Sequence, residues 1–248
     1  MVLHPDRQAS PIYVGCAGWS LPREHWPVFA EQGSHLQRYA SRLTAVEINS
    51  SFYRPHRHQT YVRWAESVPC AFRFSVKVPK LITHERRLLN CDAVLDEFMA
   101  QCSGLGEKLG CLLVQLPPSL AYEAKAAQAF FQAMRERFTG DLVLEPRHES
   151  WLNAEDLLAA LRIGRVAADP SPISGGTRAA GWSGVRYWRL HGSPRIYHSG
   201  YDQPQLEAIA RELLDCWRND IAAWCIFDNT ASGFAMGNAL QLQALLTR

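Results

Sequence analysis

The chain has 248 residues, a formal net charge of +2, 47% hydrophobic and 20% charged residues. That balance excludes a disordered chain, and so small a net charge argues against bulk electrostatic attachment to nucleic acid or membrane. No apolar run approaches the roughly 18 residues of a membrane span, and the opening MVLHPDRQAS lacks a hydrophobic stretch, so a cytoplasmic protein without a signal peptide is expected.

Residues 1–11 read as an N-terminal extension, and one domain is expected over 1–248. Eight strand-like runs follow, near 12–18, 45–50, 72–79, 110–117, 141–147, 164–169, 185–191 and 222–229. Helical patterns fall between them, at 34–43, 58–67, 93–105, 124–138, 153–161, 204–217 and 235–247. Asn153 is a candidate cap for the fifth. In the sixth, Pro204 suits the first turn, and Leu206, Ile209, Ala210, Leu213, Leu214 and Trp217 recur at helical spacing. Residues 171–184 read as loop. Strands alternating with helices over some 250 residues predict an α/β fold, a single TIM-like (β/α)8 barrel. A doubly wound open sheet is the runner-up, but GCAGWS after the first strand lacks dinucleotide-fingerprint spacing. The seven cysteines are an odd, scattered set, which predicts reduced core thiols. Cys16 is expected to be a small wall residue rather than a nucleophile.

Strand residues alternate between barrel interior and helix layer. In 45–50, Val46 and Ile48 face the helices, so Glu47 and Asn49 face inward. By the same phase Ser75, Lys77, Gln115, Glu145, Arg147, Arg189 and His191 point in. Asp169 ends strand six. Asp228 and Asn229 end strand eight in a phase the pattern does not fix. Active sites of this architecture lie at the C-terminal mouth, and buried charges are costly unless paired or used. Glu47, Lys77, Glu145, Asp169 and His191 are therefore the expected catalytic residues. Asn49, Tyr53, Gln115, Arg147, Arg189, Tyr201, Asn229, Thr230 and Ser232 are expected to bind substrate. The competing account is a self-neutralising network of three carboxylates against Lys77, Arg147 and Arg189.

The blocks VGCAGWS, AVEINSSFYRP, FRFSVKVPKLITHERRL, LGCLLVQLPPS, LVLEPRHESWL, YWRLHG and FDNTASGFAMGNAL resemble the hallmark segments of the DUF72 family, in that family's order. Pro146 and Asp228 depart from the residues usual there. The resemblance implies a TIM barrel and supplies no reaction.

Arg54, Arg57, Arg86 and Arg87 in the loops after strands two and three, with Thr230, Ser232 and Gly233 before the last helix, suit an anionic ligand. The expected activity is carboxylate acid/base chemistry on a phosphorylated or sugar-like small molecule, with Glu145 as the leading acid or base, without cofactor. One alternative is a metal-dependent isomerase or phosphodiesterase-like hydrolase, with Glu47, Glu145, Asp169 and His191 as ligands of a divalent metal. Another is a nucleic-acid-binding module using the basic loops. An imine role for Lys77 is disfavoured, because a paired lysine is held protonated, the wrong state for attack.

Overall fold

The computed structural model describes residues 11–247; the expectations for residues 1–10 lie outside them. Among the described residues, ten strands and seven α-helices follow in this order: β1 (Ile12–Cys16), α1 (His35–Ala40), β2 (Ala45–Ile48), α2 (His58–Glu66), β3 (Arg73–Lys77), α3 (Asp92–Cys102), β4 (Leu109–Gln115), α4 (Ala124–Arg137), β5 (Asp141–Glu145), α5 (Glu155–Ala160), β6 (Ile163–Arg165), β7 (Ala167–Asp169), β8 (Ala180–Gly181), β9 (Val185–Leu190), α6 (Gln203–Arg218), β10 (Ala222–Phe227) and α7 (Phe234–Leu246).

Two sheets, β1-β10-β9-β7 and β2-β3-β4-β5-β6-β8, surround one interior. Every pairing is parallel except that of β6 with β8. At one seam, Ala17 bridges to Glu47 and the Gly18 N–H donates to the Glu47 carbonyl at 2.9 Å. At the other, the chain itself crosses. The sixth predicted strand is split at Val166, so its first half pairs with β5 and its second with β9. The result is a TIM-like α/β barrel.

Three local expectations need correction. The stretch predicted as loop contains β8, whose Gly181 N–H is held by Glu155 at 2.7 Å. Helix α5 begins at Glu155, and Asn153 lies in a preceding 3-10 turn, Glu149–Ala154, where buried Trp151 donates its indole N–H to the Leu120 carbonyl at 2.9 Å. Helix α6 is capped by an Asp202–Gln205 box. Leu206, Ala210 and Leu213 are buried there as expected, while Trp217 is exposed.

The N-terminal end of the barrel is plugged by aromatics. Trp224 and Tyr187 stack at 6.2 Å, Tyr13 packs on Trp224 at 4.3 Å, and the Trp224 indole donates to Asp141 at 2.9 Å. A Cβ on Gly110 would sit 2.8 Å from the Trp224 ring, so only glycine leaves room for the plug. Above it lie Cys111, Leu113, Val143, Val166 and Ile226. The Tyr187 hydroxyl then marks the change to polar packing, reaching Ser75 at 3.0 Å and Glu47 at 2.9 Å. Among the described residues no helix is long and apolar enough to cross a membrane. All seven cysteines are free, and six are buried.

Candidate functional site at the C-terminal mouth

Arg189, on the interior face of β9, is the hub. Its Nη2 lies 2.9 Å from Glu47 Oε1 and 2.9 Å from Asp228 Oδ2, and its Nη1 lies 3.2 Å from Glu145 Oε2. Glu145 is the most heavily bonded acceptor. Its Oε1 receives Arg147 Nε at 2.8 Å, Arg147 Nη2, Gln115 Nε2 at 3.3 Å and His191 Nε2 at 3.2 Å. His191 Nδ1 reaches Asp228 Oδ2 at 3.1 Å. Charge-assisted bonds of this kind are what make such a buried constellation tolerable. Glu47, Glu145, Arg189 and His191 are at most 1% exposed, Lys77 and Asp228 5%. Arg147 has 17% of its side chain exposed and is the most accessible member of the cluster.

Burial alone would raise the Glu145 carboxyl, but Arg189, His191 and Arg147 hold it well below the usual carboxylate range. Asp228 is likewise lowered against its burial by Arg189 and His191. Burial would lower His191, yet Glu145 and Asp228 raise it, so the imidazolium persists to higher pH than in a free histidine. In that form both ring N–H groups donate, Nε2 to Glu145 and Nδ1 to Asp228.

Lys77 behaves differently. Its Nζ lies 4.1 Å from the centroid of the Phe52 ring, and among the described residues it has no carboxylate within 4.0 Å. Burial and the neighbouring Arg189 push the amine from 10.5 down to about 8, against the pull of Glu47, Glu145 and Asp228. The three-carboxylate, three-cation network expected from the sequence is therefore built around Arg189, Arg147 and His191, with Lys77 standing beside it. The Glu145 carboxyl, held ionised across the neutral range, is not a proton donor there.

The inward phase brings together Glu47, Lys77, Gln115, Glu145, Arg147, Arg189 and His191. It does not bring in Asp169. Ala168 pairs with Arg189 and shares its inward face, which leaves Asp169 on the helix side with Leu190. Asp169 contributes its backbone carbonyl, which accepts from Tyr201 at 3.0 Å and from the His191 N–H at 2.7 Å. Asp228 takes the third carboxylate place, and the sequence reasoning left its phase open. The segment AAWCIF before it is apolar on both faces, so alternation gave no signal.

Several residues chosen by type lie elsewhere. Tyr53 is 74% exposed and lines a cavity of about 320 Å³ outside the barrel, with Phe52, Leu81 and Phe98. Tyr201 is buried, its hydroxyl also accepting the Gly192 N–H at 2.9 Å, so it braces the loop after β9. Asn49 is half-buried just past β2. Asn229 is buried, donating to the Ser199 carbonyl at 2.9 Å and to Asn238 at 3.0 Å. Thr230 and Ser232 are exposed, and Ser232 meets His198 at 3.0 Å rather than capping α7, whose cap is Gly233. Arg86 donates to the Asn90 carbonyl in its own loop, and Arg87 crosses to Ser119 in the loop after β4. Cys16 belongs to the helix-side core rather than the cleft wall, its thiol pushed by burial to about 12. Two rings from the mouth loops border the cluster: His84, edge-on to Phe52 at 5.0 Å, and Tyr197, edge-on to His191 at 5.8 Å.

Of the residues expected as a metal set, Glu47, Glu145 and His191 lie together around Arg189, and Asp169 lies apart. Among the described residues no group of three or more His, Cys, Asp or Glu side chains is placed to hold an ion. Asp169 faces away, and arginines take the oxygens of the two glutamates.

The chain is 33% identical over 170 residues to the UPF0759 protein YecE of Escherichia coli K12, an alignment covering 65% of this chain and 60% of that relative. A DUF72 family protein of Thermotoga maritima superposes with a TM-score of 0.78 at 24% identity, covering 96% of this chain and 99% of the other. A D-psicose 3-epimerase from Clostridium cellulolyticum, solved with D-tagatose, superposes with a TM-score of 0.52 at 10% identity over 95% and 97% of the two chains; that likeness concerns the fold alone. The model of the family described as "Protein of unknown function DUF72" matches residues 13–248, and the chain belongs to that family.

Proposed function

We propose that this protein is an enzyme that binds a small anionic molecule, phosphorylated or sugar-like, at the C-terminal mouth of its barrel and acts on it by proton transfer. The observation that carries the reading is the distribution of charge there. The carboxylates are consumed by Arg189 and its neighbours, while Arg147, the most exposed member, and Lys77 present positive charge with no further anion to meet. A water-poor site gives such charges more effect than they have in solution.

In this reading Arg147 engages the anion, the His191 imidazolium is the proton donor, and Lys77 is the group able to lose a proton near neutrality. Glu47, Glu145 and Asp228 fix these cations in place. The test is a thermal-shift series with phosphate, sulfate and sugar phosphates against neutral sugars. A binder raises stability by mass action, about 2.7 kcal/mol at one hundred times its dissociation constant. Arg147→Gln is expected to weaken binding of the responding anion at least tenfold. Equal shifts in wild type and variant, or no shift with any anion, would sink the reading.

A further inference from the structure

We propose that Lys77 is a nucleophilic amine that forms an imine with the carbonyl group of a substrate whose anionic group lies against Arg147. The proposal rests on the mouth being an anion-binding site and adds the substrate class, an anionic aldehyde or ketone.

Four of the 26 basic residues are lysines: Lys77, Lys80, Lys108 and Lys125. Lys80 is exposed and 3.8 Å from Glu85, and Lys125 is exposed at the start of α4. Lys108 donates to the Ala65 and Val68 carbonyls at 2.6 Å each. Lys77 alone stands on the barrel interior. The other cations of the cluster are His191 and two arginines, and an arginine's planar fork spans carboxylates and stays charged. A lysine there contributes what arginine lacks, an amine that can shed its proton and attack.

The surroundings allow this. The carboxylates nearest in the cluster are taken by Arg189, Arg147, His191, Gln115 and Tyr187, so none locks the ammonium in a close pair. The aromatic face of Phe52 is its direct neighbour. The charged groups facing it are Arg189 from β9, Glu47 from β2, Glu145 from β5 and Asp228 after β10; His84, on the turn after β3, is itself lowered by burial and by the Lys77 charge. With its pKa near 8, about one molecule in ten carries the neutral amine at pH 7, against roughly one in three thousand for an unperturbed lysine.

The step balances. The Nζ lone pair forms the C–N bond, and one Nζ proton passes to the carbonyl oxygen, giving a carbinolamine. The C–O bond then breaks as the nitrogen lone pair forms C=N. The departing hydroxide takes the proton of the His191 imidazolium and leaves as water, with the iminium and a neutral imidazole remaining.

Pyridoxal 5′-phosphate is the probe, because it joins an aldehyde to a phosphate. The full chain is incubated with it, reduced with borohydride and mapped by peptide mass. The expected result is a reduced adduct at Lys77 ahead of Lys80, Lys108 and Lys125, with a rate half-maximal near pH 8. It should slow at least tenfold with pyridoxal, which lacks the phosphate, or with excess inorganic phosphate. Lys77→Arg keeps the charge and should abolish that adduct alone; if that variant does not fold, the wild-type map decides. Adducts on Lys80 and Lys125 with Lys77 untouched overturn the proposal. If phosphate still stabilises the protein in that case, the anion site stands and only the amine's role falls. If pyridoxal modifies Lys77 as fast as its phosphate and inorganic phosphate gives no protection, the anion site falls and the assigned substrate class with it.

Discussion

Replacing Glu145 with glutamine changes one oxygen into an amide nitrogen and removes one buried charge, with almost no change of shape. Oε1 now accepts from Arg147, Gln115 and His191, and Oε2 from Arg189. An amide offers one acceptor oxygen and puts an NH2 group where the other had been, facing donors. Removing one partner of a buried ion pair costs about 3–5 kcal/mol. Arg189 keeps Glu47 and Asp228, so the lower end, about 3 kcal/mol, is expected. For a chain of this length each kcal/mol moves the melting temperature by about 2–4 °C, so Glu145→Gln should melt about 6–12 °C lower. Urea unfolding followed by tryptophan fluorescence measures the difference. The pH dependence adds a second check. The folded-state pKa of Glu145 is depressed, so its contribution is present above the unfolded value near 4.3 and is lost as pH falls through the folded value. The gap between wild type and variant should therefore be full at pH 7 and shrink in acid. A loss below about 1 kcal/mol, or a gap unchanged between pH 7 and 3, refutes the reasoning.

His191 has the opposite sign. Its pKa is raised, so its contribution is complete below about 6.5 and fades as pH rises through the folded value; the stability difference between wild type and His191→Asn, followed by urea titration at rising pH, should shrink accordingly. Lys77 is depressed to about 8, so the folded state is penalised for carrying its proton. Wild-type stability should rise from pH 8 towards 10.5, and Lys77→Met should gain about 1–3 kcal/mol at pH 7 in the same assay. Gly110→Ala drives a methyl group to 2.8 Å from Trp224 and should cost about 1–3 kcal/mol, with a changed tryptophan emission spectrum.

The legible part of the site lay on strands whose outer faces carry large aliphatics. Val46 and Ile48 around Glu47, and Leu142 and Leu144 before Glu145, fix the phase without ambiguity, and the observed core confirms it. The pattern failed where both faces are alike. In β7, alanines occupy both sides before Asp169, and β10 is apolar throughout before Asp228. It was silent in the loops, where Tyr53, Tyr201, Thr230 and Ser232 were chosen by chemistry and no period says where a side chain points. The state of Lys77 was out of reach for another reason: its spacing from acids along the chain says nothing of whether Arg189 has already claimed them.

The aromatic plug of Tyr13, Tyr187 and Trp224 has a kinetic consequence. It seals the barrel opposite the mouth, so a molecule reaching Lys77 and Arg147 enters and departs by one doorway. Under the proposed function, substrate and anionic product share that doorway, and competitive product inhibition is the expected outcome, with the exit of product and the entry of the next substrate forming a single queue.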